Sequence, residues 1–205
     1  VEVEGDRNLV DFRMPIQYVS RPNQDFRGYA GTVAGGQIRV GEEVMILPSR
    51  QRSRVSGIVT AGLQAKDAFV PQSTMLSLEQ ELDISRGDMV VRPNNRPSVA
   101  RRFDAMVFWF VPEEMRTGKR YILKHTTRVA SAEIEKLHYE LDIDDLHRKK
   151  AEGLKENAIG KVTVRSQIEL CIDPYERNRT TGSFILIDDI TKHTVGAGIA
   201  LKTHE

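Results

Sequence analysis

The stretch Arg21 to Pro48, RPNQDFRGYAGTVAGGQIRVGEEVMILP, confines this chain to short strands and tight turns. Phe26 to Ala34 is dense in small and β-branched residues and reads as a strand. Gly35-Gly36 is predicted to supply the φ > 0 positions of a hairpin turn, with Gln37 to Val40 beginning the return. Gly41-Glu42 turns the chain again. In the next predicted strand, Glu43 to Leu47, Val44 and Ile46 share one face while Met45 and Leu47 share the other. Pro48 ends that strand, because it has no N–H to give to a ladder. The unit holds no nucleophile, no acid/base pair and no metal-ligating cluster, so it reads as scaffold.

The same grammar runs from Leu9 to Arg92, where no 3.6-residue apolar stripe is long enough for a core helix. Strands are expected at Phe12 to Val19, with Pro15 suggesting an edge or a strand start, and at Arg54 to Thr60, Ala68 to Val70, Thr74 to Leu78 and Met89 to Arg92. Six or seven short strands in about eighty residues predict a small closed barrel, which removes exposed edges. Pro93-Asn94-Asn95-Arg96-Pro97 is a run of turn formers and reads as a linker. Beyond it, strands are predicted at Ser98 to Val111, Tyr121 to His125, Arg128 to Asp142 with a bulge near Ala132, Gly160 to Ser166, Ile168 to Ile172, Ser183 to Ile187 and Thr194 to Leu201. Asp144 to Asn157 is expected to be a loop with a helical turn. The fold class is therefore all-β: two consecutive β-barrels, the first over 9–95 and the second over 96–202.

Charge limits the function classes. The chain carries 30 basic and 29 acidic residues, split at Pro97 into 12 and 12 before it and 18 and 17 after it, so neither half is a general polyanion binder. The single cysteine, Cys171, lies in the apolar run IELCI and reads as a small core residue. A disulfide framework is excluded, which fits a reducing cytoplasm. No apolar run approaches the ~18 residues of a membrane span, and VEVEGDRN is too charged for a secretion signal. The chain begins at Val1 rather than Met, as a piece of a longer protein would.

Catalytic signatures are missing. Gly28, Gly31, Gly35 and Gly36 lack the Lys-Ser/Thr and following helix of a P-loop, the five histidines have no zinc-type spacing, and no G-x-S-x-G elbow occurs. Asn178-Arg179-Thr180 matches a glycosylation acceptor by chance. The basic clusters say more. Arg50, Arg52 and Arg54 alternate, which places three guanidinium groups on one face, while His147 to Lys150 crowds a loop and Arg177 and Arg179 flank Asn178. Two readings stand: a solvated rim balanced by nearby acids, or docking to an acidic protein face or a partner's nucleotide phosphate, where arginine offers bidentate contacts.

Taken together, FRMPIQY at Phe12 to Tyr18, RPNQDFRGYAGTVAGGQIRVGEEV from Arg21, EQELDISRGDMVV at Glu79 to Val91 and TTGSFILIDDITKHTVGAGIA at Thr180 to Ala200 resemble one family. It is the large, GTP-binding subunit of bacterial sulfate adenylyltransferase, a relative of elongation factor Tu. The resemblance covers Phe12 to Leu201. The G-x-V-x-x-G-x-I-x-V-G-E-E-V pattern fits many translation-factor barrels, whereas RPNQDFRGYAG and DISRGD resemble the sulfate-activating branch. It implies a GTPase domain before Val1, with GTP and magnesium bound there and ATP bound in the small catalytic subunit, and no cofactor on the barrels themselves. An adenylylsulfate kinase domain after Glu205 is left open.

The implied role is docking the small catalytic subunit and the chain's own GTPase domain. Arg21, Asn23, Asp25 and Arg27 form a charged turn and are the leading interface candidates, against the alternative that Asp25 pairs internally with an arginine and only orders the turn. Arg50, Arg52, Arg54, Arg177 and Arg179 complete the candidate set. The alternative function is a translation-factor-like RNA-binding module in which the Arg50 to Arg54 face meets phosphate. Balanced charge and 6% aromatic content oppose it. A free-standing enzyme is the weakest reading.

Overall fold

A computed structural model of the chain describes residues 8–23, 26–142 and 147–204, with backbone alone at 22, 23 and 26. Two compact units divide after Pro97. The first holds β1 (Arg13–Asn23), β2 (Phe26–Thr32), β3 (Gln37–Arg39), β4 (Glu43–Leu47), β5 (Gln51–Thr60), β6 (Leu63–Ala65), β7 (Asp67–Phe69), β8 (Ser73–Leu78) and β9 (Met89–Val91). The second holds β10 (Ser98–Trp109), β11 (Met115–Arg116), β12 (Arg120–His125), β13 (Arg128–Leu141), β14 (Arg148–Lys149), β15 (Gly153–Leu154), β16 (Ile159–Ile172), β17 (Ser183–Asp188) and β18 (Thr194–His204). No helix occurs among the described residues.

Each unit is a closed six-stranded barrel. In the first the order β4-β9-β1-β2-β8-β5 closes through β4–β5; in the second β12-β17-β18-β10-β16-β13 closes through β12–β13. Closure pairs both sides of every barrel strand, so the period-two alternation sends one set of side chains inward. In β5, Ser53, Val55 and Ile58 are buried while Arg52, Arg54 and Ser56 are exposed. Phe12, Met14, Ile16, Tyr29, Ile46 and Val90 fill the first core. The second packs Trp109 edge-on to Tyr121, ring centroids 5.6 Å apart, and Phe103 edge-on to Phe184 at 5.4 Å. Cys171 is buried, as its apolar run suggested.

Several local expectations change. Gly35-Gly36 is no hairpin turn: β2 pairs with β1 and β8, whereas β3 pairs with β7 in a separate ribbon. Of the two glycines only Gly36 has positive φ, 63°. Pro15 is not on an edge; β1 pairs with β9 over residues 13–15 and with β2 from Ile16 onward, and proline sits at that changeover. Gly160 to Ser166 and Ile168 to Ile172 are one continuous strand, β16. The β13 irregularities fall at Ile134/Lys136 and Leu137/Tyr139, beyond Ala132. In place of a helical turn, β14 and β15 occupy part of the 144–157 segment, whose residues 144–146 lie outside the described set.

His125, buried in the second barrel, donates Nε2–H to the Thr181 carbonyl at 2.8 Å. Burial lowers its pKa below the ordinary 6.5, against the raising effects of that bond and of Asp173. The unfolded imidazole therefore takes up a proton below about pH 6.5 that the folded one refuses. Stability should be flat above that pH and fall below it, by up to about 1.4 kcal/mol per unit. Urea midpoints at pH 7.5 and 5.0 check this, and His125→Gln should reduce the acid-side slope. His138, also shifted down by burial, keeps a residual slope of the same sign.

Candidate docking surface

In the first barrel, Arg21 and Arg27 of the charged turn meet the connection over residues 79–88, a stretch that carried the family resemblance. β1 and β2 pair as neighbouring antiparallel strands, and their ladder continues to Asn23 opposite Phe26. The connection from β8 to β9 runs alongside it. Arg27 Nη1 donates to the Leu82 carbonyl at 2.6 Å, and Tyr29 Oη donates to the same oxygen at 3.1 Å. Arg21 Nη2 lies 4.0 Å from Glu81 Oε2, with both side chains more than half exposed. The connection is anchored at its far end by Gly87 N donating to Ile16 O and Ile16 N donating to Asp88 O, while Ile84 enters the core. A carbonyl shared by a guanidinium and a phenol fixes the loop, and the exposed Arg21–Glu81 pair contributes little to folding, which leaves both groups open to a partner.

Arg52 and Arg54 share the exposed face of β5. Arg50 sits in the turn after β4 with φ 62°. Arg52 Nη1 is 3.4 Å from Glu43 Oε1, and Arg54 Nη1 donates to the Gly41 carbonyl at 2.6 Å. The start of the β8–β9 connection lies against them, with Glu79 N donating to Arg54 O and Gln80 N to Ser53 Oγ. Residues 79–82 thus link the Arg52/Arg54 face to Arg21 and Arg27. Asp25 and the side chain of Asn23 lie outside the described residues.

Arg177 and Arg179 belong to the second unit. Arg179 stacks toward Tyr175, 5.7 Å from its ring centroid, at the rim of a groove of about 860 Å³ lined by Met106, Phe108, Ile185, Ala197 and Ile199. Asn178 between them is buried, and its Oδ1 accepts from Thr181 N at 3.0 Å, so its amide is a turn cap and not an exposed glycan acceptor.

One cluster escaped the sequence reading. Asp104 is buried on the outer side of β10, and its Oδ1 accepts from His204 Nε2 and Thr163 Oγ1, each at 2.8 Å, while Lys161 Nζ lies 3.3 Å from Oδ2. Burial pushes the carboxyl up, the His204, Thr163 and Lys161 contacts outweigh it, and the pKa settles at about 2. His138 Nε2 lies 2.8 Å from Thr163 Oγ1, whose hydrogen already goes to Asp104. The threonine thus accepts from the histidine, the reverse of nucleophile activation, and the cluster reads as structural. A carboxylate inside the apolar run FDAMVFWF was the available signal.

These barrels define a class: the paired β-barrels of translation factors. Sup35 complexed with GDP superposes with a TM-score of 0.87 at 20% identity, covering 97% of this chain and 49% of that one. Sup35 complexed with GMPPNP gives 0.84. Residues 102–201 match the GTP-eEF1A C-terminal domain-like family. Within that class the sequence is more specific. It is 48% identical to the bifunctional enzyme CysN/CysC of Rhodopirellula baltica over 98% of its length, and 44% identical to sulfate adenylyltransferase subunit 1 of Bacteroides fragilis over 100%. The chain belongs to the family of CysN/CysC and sulfate adenylyltransferase subunit 1 proteins. It spans 31% and 43% of those two relatives' lengths. No described helix is long and apolar enough to cross a membrane.

Proposed function

We propose that the two barrels are the non-catalytic docking region of a GTP-regulated sulfate adenylyltransferase large subunit, holding the small catalytic subunit and the GTPase domain. The parent enzyme, a nucleotidyltransferase, makes adenylyl sulfate and pyrophosphate from ATP and sulfate. In this reading ATP sits in the small subunit, GTP and magnesium sit in the GTPase domain, and the barrels transmit the nucleotide state through contacts that differ between the two states. In CysN/CysC-type relatives a kinase domain would be a further neighbour. The observation that carries the reading is the meeting of Arg21 and Arg27 with the connection over residues 79–88, through the part-buried Arg27–Leu82 bond and the exposed Arg21–Glu81 pair.

Arg21→Ala and Arg27→Ala in the full-length large subunit test it. The expected result is a tenfold or greater loss of affinity for the small subunit, in the range of about 1–3 kcal/mol for an interfacial arginine, with a parallel fall in GTP-stimulated adenylyl sulfate formation. Arg21 is exposed and only loosely paired, so its variant should melt like wild type. Unchanged association and unchanged GTP stimulation in both variants would sink the docking role.

A further inference from the structure

A polar concavity of about 310 Å³ lies on the second barrel where β10, β12, β13 and β16 come together, and none of the candidate interface residues lines it. Three arginines line it, Arg101, Arg120 and Arg165, one from each of β10, β12 and β16. The register explains their convergence. Arg120 lies opposite Glu133 across the β12–β13 ladder, and Glu133 lies opposite Arg165 across β13–β16, so the three form one cross-strand row. On β10 the residue opposite Arg165 is Arg102, and Arg101 borders the row at a β-bulge. The β10–β16 register slips between Ala100 and Arg102, which turns two consecutive arginines outward. Arg102 is taken up by Glu135 at 2.6 Å, whereas the side chains of Arg101, Arg120 and Arg165 make no ion pair or hydrogen bond among the described residues.

The rest of the lining supplies donors as well. Ser166 is buried among the lining residues, and its hydroxyl oxygen accepts from Ile168 N at 3.3 Å. Ser131 and Gln167 add exchangeable donors at the rim. Against three guanidinium groups stands one carboxylate, Glu133, leaving a local excess of two positive charges in a chain whose net charge is only +1. Forked, permanently charged donors around a small hollow suit a tetrahedral oxyanion, whose several oxygens can each accept a charge-assisted bond. The volume suits a small anion or one nucleotide, not a protein segment.

We infer that this concavity is an oxyanion-binding site for a phosphate or sulfate group, with Arg101, Arg120 and Arg165 as its ligands and Glu133 as an internal competitor that limits affinity. The site belongs to the second unit and does not depend on the docking surface of the first. Calorimetric titration of the 205-residue chain with inorganic pyrophosphate, at ionic strength held constant with KCl, tests the assignment. Saturable binding with Kd below about 1 mM is expected. Arg120→Gln with Arg165→Gln should weaken it at least tenfold while the ligand-free melting temperature moves by less than about 2 °C, as exposed surface substitutions do.

Glu133→Gln should tighten binding about fivefold, because a like charge beside the anion is removed. That gain is one a merely structural arginine cluster would not produce. Titrations with inorganic sulfate, inorganic phosphate and AMP separate the sources: tighter AMP binding assigns the site to a nucleotide's phosphate, and equal binding assigns it to the free oxyanion. No saturable binding up to about 10 mM, an affinity that survives the double substitution, or one that Glu133→Gln leaves unchanged overturns the assignment.

Discussion

Gly36→Ala is expected to lower the unfolding temperature of the first barrel by about 15 °C, a loss of roughly 3–4 kcal/mol in a unit of this size. Two costs add at this position. An L side chain at φ 63° costs about 1 kcal/mol. The larger cost is steric: a Cβ there would lie 2.6 Å from Phe12 N and 2.8 Å from both Asp11 C and Phe12 Cα, all backbone atoms that no rotamer change can move. Both main-chain groups of Gly36 are also committed, its N–H to Asn8 O at 2.7 Å and its carbonyl to Val70 N at 3.1 Å. Relief would require the chain to shift where it enters β1 and delivers Phe12 and Met14, both fully buried, to the core. Gly41→Ala is the control, since Gly41 has φ 89° and open space around its Cβ position. It should cost only the conformational term, about 1 kcal/mol. Thermal melts of the two variants decide the matter, and equal losses would refute the close-approach argument.

Gly36 also shows where the sequence was legible and where it was not. A Gly-Gly pair between two β-type runs signals a special backbone position, and one exists, but the same pair serves a hairpin turn and a tight crossing equally well. What separates them is the partner strand. Arg13 pairs with Gly35 in an isolated bridge and β7 pairs with β3, contacts fixed by barrel closure and not by local sequence. The all-β class and the chain's division into two barrels were readable because alternation and turn residues are local properties. The candidate docking surface was half readable. RPNQDFR stood out as a charged turn and EQELDISRGD as part of the family resemblance, but the Arg27–Leu82 bond spans 55 residues. The Asp104 cluster was unreadable for the same reason, since its His204 partner lies 100 residues away. The three-arginine concavity depends on a one-residue register slip at Ala100/Arg102, which the strand's alternation does not announce.

Lys119→Met should destabilise the second barrel by about 2–3 kcal/mol, and the reason lies in its partner more than in the lysine. Lys119 Nζ is 3.0 Å from Asp188 Oδ2 and 3.0 Å from Glu113 Oε1, and 5.5 Å from the Tyr121 ring centroid. Asp188 closes the turn after β17, its Oδ1 accepting from Ile190 N at 3.0 Å and Thr191 N at 2.8 Å. Those backbone donors, chiefly Thr191, together with Lys119, hold the Asp188 carboxyl well below the usual carboxylate range, and the Asp188 contact raises the Lys119 pKa. The Asp188 side chain is 5% exposed, whereas that of Glu113 is 72% exposed. Methionine keeps the apolar stem but leaves Asp188 Oδ2 buried without its cation. Glu113→Gln removes only the solvated arm and should cost less than about 0.5 kcal/mol. A carboxylate with a depressed folded pKa stabilises above its unfolded value near 3.9 and loses that contribution as pH falls through the folded one. The gap between wild type and Lys119→Met should therefore be full at pH 6 and narrow below about pH 4. Denaturant melts at both pH values read it, and a gap that matches Glu113→Gln or stays constant through the acid range would remove Asp188 as the anchor of that turn.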